Sequence, residues 1–357
     1  MSKQKTACFP QIANYSIPVD IFVKSVLDMK TMTCPMTTKK TLELGSKHSP
    51  DYVCTPFKYS LGNYIEAIEI GADTLIIPAI GCRLGYYDEV QKIILKDLGY
   101  EFDMINLFEH GNNIMGIFKL CKTYNPKIKI KKFVKTLYLV SKIVIYMDIM
   151  EDYIRKNIGF EVEDGKMEKV YKLFLYHIRK ATRAKHVKSL YEKYFEMLKE
   201  VEINKPENPL RVGIVGDLYT ILEPFGNCNI EKHLAKKGIE IHRPMTLTHM
   251  FGELQNEKLL LKQSGKYLKY AIGGNATDSV AKAKMMAEDN IDGIIHIKAA
   301  SCTPEITAMS SLQNISNDYK VPILYFTFDT ETSETGVLTR IEAFHDMLIM
   351  KDLKEVR

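Results

Sequence analysis

Short apolar runs alternate with amphipathic stretches over the first third and the last third of this 357-residue chain. Apolar or β-branched runs bounded by turn residues predict buried strands. Eight runs have this character: Thr6–Pro10, Lys30–Cys34, Thr74–Pro78, Phe102–Ile105, Arg211–Val215, Glu240–Arg243, Asp292–Ile297 and Val321–Phe326. Stretches with helical periodicity separate them, which is typical of βαβ units in parallel sheets.

Helices are predicted between and after these strands. The predicted segments are Ile17–Leu27, a helix beginning at Thr37, Ser60–Ile70, Tyr87–Leu98, Glu223–Lys237, a helix ending over Met285–Asn290, and Val337–Met350. Gly99 fits the turn that closes one of them, because glycine is favoured just after a helix.

The pattern changes between Lys127 and Glu202, where it predicts long helices joined by a turn at Glu161–Gly165. Large side chains recur there near the 3.6-residue period of a helix. They are Met167, Tyr171, Phe174, Ile178, Ala181, Leu190, Tyr194 and Leu198. We interpret this face as core and not as a cofactor site. Asn204–Pro209 has the composition of a linker.

Together these patterns predict an α/β fold with two Rossmann-like lobes, parallel sheets and a helical insertion between the lobes. The predicted N-terminal α/β lobe covers residues 1–125. The helical segment covers residues 126–205, and the C-terminal α/β lobe covers residues 206–357.

The charge of the chain is concentrated in its helical middle. The whole chain carries a net charge of +5, whereas residues 127–203 contain 18 Lys or Arg against 11 Asp or Glu. A basic segment can bind nucleic acid, an acidic protein or a phosphate group. Because its charges are mixed in sign, we favour a solvated helix surface and expect no nucleic-acid partner.

No secretory leader or membrane span is expected from the sequence. Residues 1–10 lack a basic head followed by an apolar run. The most apolar stretch, Phe133–Met150, is interrupted by Lys135, Lys142 and Asp148. We therefore expect a cytoplasmic protein without membrane association. Seven cysteines in a chain of this length are too few for a disulfide scaffold, which favours free thiols or metal ligands.

Three cysteine segments are the strongest candidates for chemistry. They are Val53-Cys54-Thr55-Pro56, Gly81-Cys82-Arg83-Leu84-Gly85 and Ser301-Cys302-Thr303-Pro304-Glu305. We expect each cysteine to lie at the end of a strand, where parallel sheets bind their ligands. Three thiols gathered there could hold zinc or an iron–sulfur cluster. Cys8 and Cys34 also lie at predicted strand ends, and any single cysteine can instead be a small buried hydrophobe.

Common nucleotide-binding and hydrolytic motifs are missing from the chain. It has no P-loop, no paired Cys-x-x-Cys, no His-Glu-x-x-His and no Gly-x-Ser-x-Gly. Gly213–Asp217 lacks the third glycine of a dinucleotide fingerprint. Gly273-Gly274-Asn275 favours a turn over a phosphate cradle.

The cysteine segments resemble those of the 2-hydroxyacyl-CoA dehydratase superfamily. The similar segments are Tyr52–Gly62, Gly81–Tyr87, Asp88–Gly99, Gly213–Tyr219, Glu223–Phe225, Asp292–His296, Cys302–Glu305, Ser333–Val337 and Thr339–Phe344. The most similar branch contains proteins described as related to the CoA-substrate-specific dehydratase activases, together with the D-component of 2-hydroxyglutaryl-CoA dehydratase.

This resemblance implies that Cys54, Cys82 and Cys302 hold a [4Fe–4S] cluster. In the superfamily an ATP-hydrolysing activator delivers an electron to the cluster, which passes it to an acyl-CoA for removal of the 2-hydroxyl group. The resemblance thus implies an anaerobic, low-potential lyase or reductase component, an activator partner and a homo- or hetero-oligomer. Lys58, Arg83, His296 and Glu305 are near the cysteines in sequence and could tune the cluster or make structural hydrogen bonds.

Two alternatives remain open from the sequence. A non-catalytic cluster protein could store or transfer electrons, and a metal-free α/β binding module could use its cysteines only for packing. The substrate, the fourth cluster ligand and the choice between iron and zinc are also open, because thiolates accept both metals.

Overall fold

In the computed structural model, the described residues form eight strands in two four-stranded parallel sheets. The structure describes residues 4–10, 12–77, 87–110 and 113–355. The chain divides into two compact units. One unit consists of Met1–Val144 with Ala181–Val187, and the other of Ile145–Lys180 with Lys188–Arg357. The predicted helical segment therefore contributes to both units.

The N-terminal sheet has the strand order β2-β1-β3-β4. Its strands are β1 (Thr6–Cys8), β2 (Lys30–Thr31), β3 (Thr74–Ile77) and β4 (Asp103–Asn106). The helices described in this part of the chain are α1 (Ser16–Phe22), α2 (Lys39–His48), α3 (Thr55–Glu69), α4 (Tyr87–Asp97) and α5 (Ile114–Tyr124). A π-helical turn, Val23–Leu27, extends α1 to the end of the predicted segment.

Helices cover both faces of this sheet. Successive strand residues point to opposite faces, so Ala7 and Ile76 belong to one buried cluster, whereas Cys8 and Leu75 belong to another. The first cluster includes side chains of α1 and α5, and the second includes side chains of α2, α3 and α4. Cover on both faces explains why every residue of β3 is buried.

The C-terminal sheet repeats this topology with the order β6-β5-β7-β8. Its strands are β5 (Arg211–Gly216), β6 (Glu240–His242), β7 (Gly293–Ala299) and β8 (Ile323–Phe328). All eight predicted strands are thus confirmed. Strand β7 is buried over its whole length, as expected for a central strand with helices on both faces.

The remaining helices include those of the predicted helical segment. They are α6 (Ile130–Asn157), α7 (Lys166–Ile178), α8 (Ala184–Lys199), α9 (Leu218–Leu222), α10 (Ile230–Ala235), α11 (Leu247–Phe251), α12 (Glu257–Ser264), α13 (Ala276–Glu288), α14 (Thr303–Tyr319) and α15 (Glu334–Glu355). Of the predicted apolar face, all members are buried except Leu190, which is half-buried. Its interpretation as core is confirmed.

One predicted helix, Glu223–Lys237, is wrong in extent. The chain forms α9 before it and α10 within it, because Cys228 and Asn229 both have φ of +53° and so interrupt the helix. Pro224 also has no backbone N–H to donate. Within the described ranges, no helix combines the length and apolarity needed to cross a lipid bilayer.

Candidate metal centre

Cys54 is the residue that caps the N-terminus of α3. Its backbone is extended, with φ of −67° and ψ of 154°, and Pro56 lies in the first helical turn. Proline suits that turn because its missing N–H would have no partner there. The expectation that Cys54 ends a strand is wrong, since Asp51–Val53 form a turn. The half-buried thiol instead lies where the helix dipole stabilises negative charge.

Tyr87 contacts the sulfur of Cys54. Its hydroxyl oxygen lies 3.7 Å from Sγ of Cys54. The ring of Tyr87, the first residue of α4, packs edge-on against Phe57, with the ring centroids 4.8 Å apart. Because Phe57 is fully buried in α3, this contact fixes the hydroxyl beside the thiol. Sequence reasoning missed Tyr87, although it lies at the start of a predicted helix.

Cys302 has the same local setting in the other unit. It caps α14 and is followed by Thr303-Pro304, just as Cys54 is followed by Thr55-Pro56. Strand β7 ends at Ala299, and the backbone N–H of Cys302 donates to the Ala299 carbonyl at 3.0 Å. The thiol is half-buried. Both sulfurs therefore lie at the N-termini of long helices.

The first turn of α14 is anchored through Glu305. Its Oε1 accepts a hydrogen bond from Ser279 Oγ at 3.0 Å, and its Oε2 lies 2.8 Å from Nε2 of His296. All three side chains are buried. Ser279 belongs to α13 and His296 to β7, so this network ties the start of α14 to two neighbouring elements. Glu305 and His296 thus make structural hydrogen bonds, one of the roles that the sequence left open.

The end of β5 is fixed by Asp217, which caps α9. Its Oδ1 accepts from the Thr220 N–H at 2.9 Å, and its Oδ2 accepts from the Ala299 N–H at 2.6 Å. Burial raises the pKa of the Asp217 carboxyl, although both backbone N–H groups oppose this shift. Asp217 therefore joins the ends of the two central strands.

The side chain of Asn275 makes further hydrogen bonds at the carboxyl end of β5. Its side-chain Nδ2 donates to the Gly216 carbonyl, and its Oδ1 accepts from the Leu218 N–H at 3.3 Å. Gly273 and Gly274 both have positive φ and form the turn that leads into α13, as the sequence favoured. The amide of Asn275 thus connects the start of α13 with the end of β5.

Lys298 is a further polar residue near the end of β7, and sequence reasoning missed it. Its side chain is only 5% exposed. His296 lies two positions earlier on the same strand and was noted from the sequence. Strand alternation places Lys298 on the same face, which is the signal that could have identified it.

Three of the other cysteines lie in apolar surroundings. Cys8, Cys34 and Cys121 are buried in the N-terminal unit. The hydrogen bond with Cys8, followed by burial, raises the pKa of the Cys34 thiol well above its usual range. Burial raises the pKa of the Cys121 thiol to about 12. A thiol that resists ionisation is a poor metal ligand, because metals bind the thiolate.

Cys82 lies outside the described residues, as do Gly81, Arg83 and Gly85. Among the residues that are described, no three His, Cys, Asp or Glu side chains form a group able to hold a metal ion. Lys58 lies in α3, one turn after Cys54. The gathering of Cys54, Cys82 and Cys302 into one centre thus stays a prediction.

The donor chemistry of the described cysteines fits an iron–sulfur cluster. Cys54 and Cys302 offer soft sulfur ligands, both are partly accessible, and both lie at helix N-termini that favour the thiolate.

Comparison with known families agrees with the resemblance seen in the sequence. The model of the 2-hydroxyglutaryl-CoA dehydratase D-component family matches residues 117–348. The match includes Cys302, whereas Cys54 and Cys82 lie on its N-terminal side. A comparison with curated proteins gives no match. Because the matched region is more than half of the 357 residues, the chain belongs to the 2-hydroxyglutaryl-CoA dehydratase D-component family.

Proposed function

We propose that this chain is a 2-hydroxyacyl-CoA dehydratase-type component that binds a [4Fe–4S] cluster through Cys54, Cys82 and Cys302. The observation that carries the proposal is the shared setting of the two described sulfurs. Each caps a long helix, each is followed by Thr-Pro, and each is partly accessible. The buried cysteines of the chain share none of these features.

The topology of each unit supports a ligand-binding site at the carboxyl ends of the strands. Helices in βαβ units run antiparallel to their strands, so the N-terminus of a helix lies at that edge. Helix α3 precedes β3, and α14 follows β7, which places both Cys54 and Cys302 at the carboxyl edge of their own sheet. Ligands of open α/β sheets bind at this edge.

The proposed set of three thiolates leaves one iron of the cluster without a protein sulfur. When bound, such a cluster supplies single electrons at low potential, and its open iron is accessible to a substrate or to another ligand. The chain's own residues hold the thiolates at helix N-termini, place a hydroxyl beside Cys54, and anchor the turn that carries Cys302.

We also propose that ATP is hydrolysed by a separate activator protein. The chain carries no P-loop, and in the dehydratase superfamily that it resembles the electron is delivered by an ATP-hydrolysing activator. Together with the family membership, this favours a cytoplasmic, oxygen-free setting and an acyl-CoA substrate. The protein would act as one part of a homo- or hetero-oligomer.

The test of this function is metal and sulfide analysis of the full chain after anaerobic purification and reconstitution. We expect iron and acid-labile sulfide in equal amounts and an EPR signal after reduction. The loaded protein, with an activator, ATP and a panel of 2-hydroxyacyl-CoA esters, should then form the unsaturated thioesters. Absence of iron, or zinc in its place, would overturn the proposal. Iron without turnover or thioester binding would instead favour electron storage.

Tyr87 gives a narrower prediction about the same centre. Replacing Tyr87 with Phe should leave the iron content unchanged but lower the midpoint potential of the cluster. The reason is that a hydroxyl donating to a ligand sulfur stabilises the more negative, reduced state, whereas the packing against Phe57 survives the change. An EPR-monitored redox titration measures the shift.

The control for this variant is Tyr52→Phe. Tyr52 lies two residues before Cys54 and is 94% exposed, so its hydroxyl is in solvent. Equal midpoint potentials in the two variants would contradict the role of Tyr87.

A further inference from the structure

Lys298 is a buried lysine whose charge has no partner in the described part of the chain. The side chain is 5% exposed, and it makes no hydrogen bond or ion pair with another described residue. Burying an ammonium group without a partner is unfavourable. Any negative charge near this end of β7 would therefore stabilise the Lys298 ammonium.

Lys282 of the same unit provides an internal comparison. Its side chain is 8% exposed, but its Nζ lies 2.6 Å from Oε2 of Glu253. This ion pair compensates for burial of the charge. Lys298 is equally buried and lacks such a pair, so the fold does not supply the compensation from a neighbouring carboxylate.

The two carboxylates nearest in the network are already engaged. Asp217 accepts two backbone N–H groups, and Glu305 is bound by Ser279 and His296. Both carboxylates act on Lys298 only at longer range. Burial lowers the pKa of the Lys298 ammonium, while the negative charge of Cys302 and then of the two carboxylates opposes this shift.

Strand and helix geometry place these groups at one edge of the sheet. Lys298 follows His296 on the same face of β7, and His296 bonds to Glu305 in the first turn of α14. Cys302 caps that same turn. Lys298 and Cys302 therefore both lie at the carboxyl end of β7, four residues apart in the chain.

We propose that Lys298 supplies the positive charge that balances the Cys302 thiolate and the cluster bound to it, and that it thereby raises the reduction potential of the cluster. This inference rests on the proposed function. A [4Fe–4S] cluster held by three thiolates carries a net negative charge, which increases on reduction. A nearby cation stabilises the reduced state more than the oxidised state, because the net charge around the cluster sets its potential.

The experiment compares three variants of the full chain, namely Lys298→Met, Lys298→Arg and Lys262→Met. The first removes the charge at similar length, and the second retains it. Lys262 is an exposed lysine of α12 in the same unit, so its replacement with Met removes the same charge elsewhere. The readouts are the midpoint potential from an EPR-monitored titration, the iron content, and the melting temperature of the metal-free protein.

We expect Lys298→Met to lower the midpoint potential, whereas Lys298→Arg and Lys262→Met stay close to the unaltered protein. In the metal-free state, Lys298→Met should melt a few degrees higher, because an uncompensated buried charge has been removed. An unchanged potential at full iron content would overturn the role of Lys298 and leave the proposed function standing.

The melting temperature of the metal-free protein distinguishes failure of the Lys298 inference from failure of the proposed cluster-binding function. A lower melting temperature, or failure of Lys298→Met to fold, would mean that Lys298 has a structural partner and would overturn the inference. Absence of iron from the unaltered protein would overturn the proposed function and this inference together.

Discussion

Replacing Cys302 with serine should reduce the iron bound per chain to near background. The serine oxygen is a harder and less readily ionised ligand than a thiolate, so it is a poor substitute at an iron–sulfur centre. The same outcome is expected for serine at Cys54 and Cys82, since loss of one of three thiolates leaves two irons without a protein ligand. Iron and sulfide analysis after reconstitution measures the effect, and far-UV circular dichroism checks the fold.

Cys228→Ser is the matched control for this prediction. Cys228 lies in the same unit as Cys302 and is also half-buried, but it occupies the loop between α9 and α10 and is not among the proposed ligands. This variant should retain all of its iron. Full iron content in Cys302→Ser, or equal loss in both variants, would contradict the proposed ligand set.

Replacing Gly216 with alanine should prevent the C-terminal unit from folding stably. Gly216 has a φ of +145°, which L-residues rarely adopt. An added Cβ would lie 1.7 Å from the carbonyl oxygen of Ile297, the residue that it faces across the two central strands. Relief of this clash requires β5 and β7 to separate, which would also disturb Asp217 and Lys298. We expect a loss of roughly 4 kcal/mol or more in the free energy of unfolding.

Gly273→Ala is the control that shows how much stability is lost through a positive φ alone, without a steric clash. Gly273 belongs to the same unit and has a φ of +81°, but an added Cβ would have no described atom within 4 Å. It should cost only about 1–2 kcal/mol. Urea unfolding of both variants measures the difference. Similar stabilities would show that the crowding at Gly216 can be relieved without separating the strands.

Central strands such as β3 and β5 were predictable because burial on both faces makes them largely apolar. Each of the eight strands overlaps its predicted segment, although Lys30–Thr31 is shorter than expected. Helix starts were less predictable. Apolar periodicity placed the start of α3 at Ser60, whereas the helix begins at Thr55. Cysteine is not a usual N-cap residue, so the available signal was Pro56 in the first turn.

Contacts at the candidate centre could be predicted only in part. The cysteine segments were visible because Thr-Pro or glycine follows each thiol. Tyr87 and Lys298 were not, because their importance depends on which elements pack together in three dimensions. His296 and Glu305 were noted because they are near the cysteines in sequence. Their hydrogen bond to each other could not be predicted, because it depends on how α14 packs against β7.

The common strand order of the two sheets allows their positions to be compared one by one. The segment between β3 and α4 contains Cys82, and its counterpart between β7 and α14 contains Cys302. Cys54 caps the helix before β3, and the equivalent cap before β7 is Asn275. Cysteine therefore occurs in three of these four segments of the sequence, while the fourth has Asn275, whose side-chain amide bonds to Gly216 and Leu218. The proposed ligand set is thus unequal between two sheets of the same strand order because one residue differs.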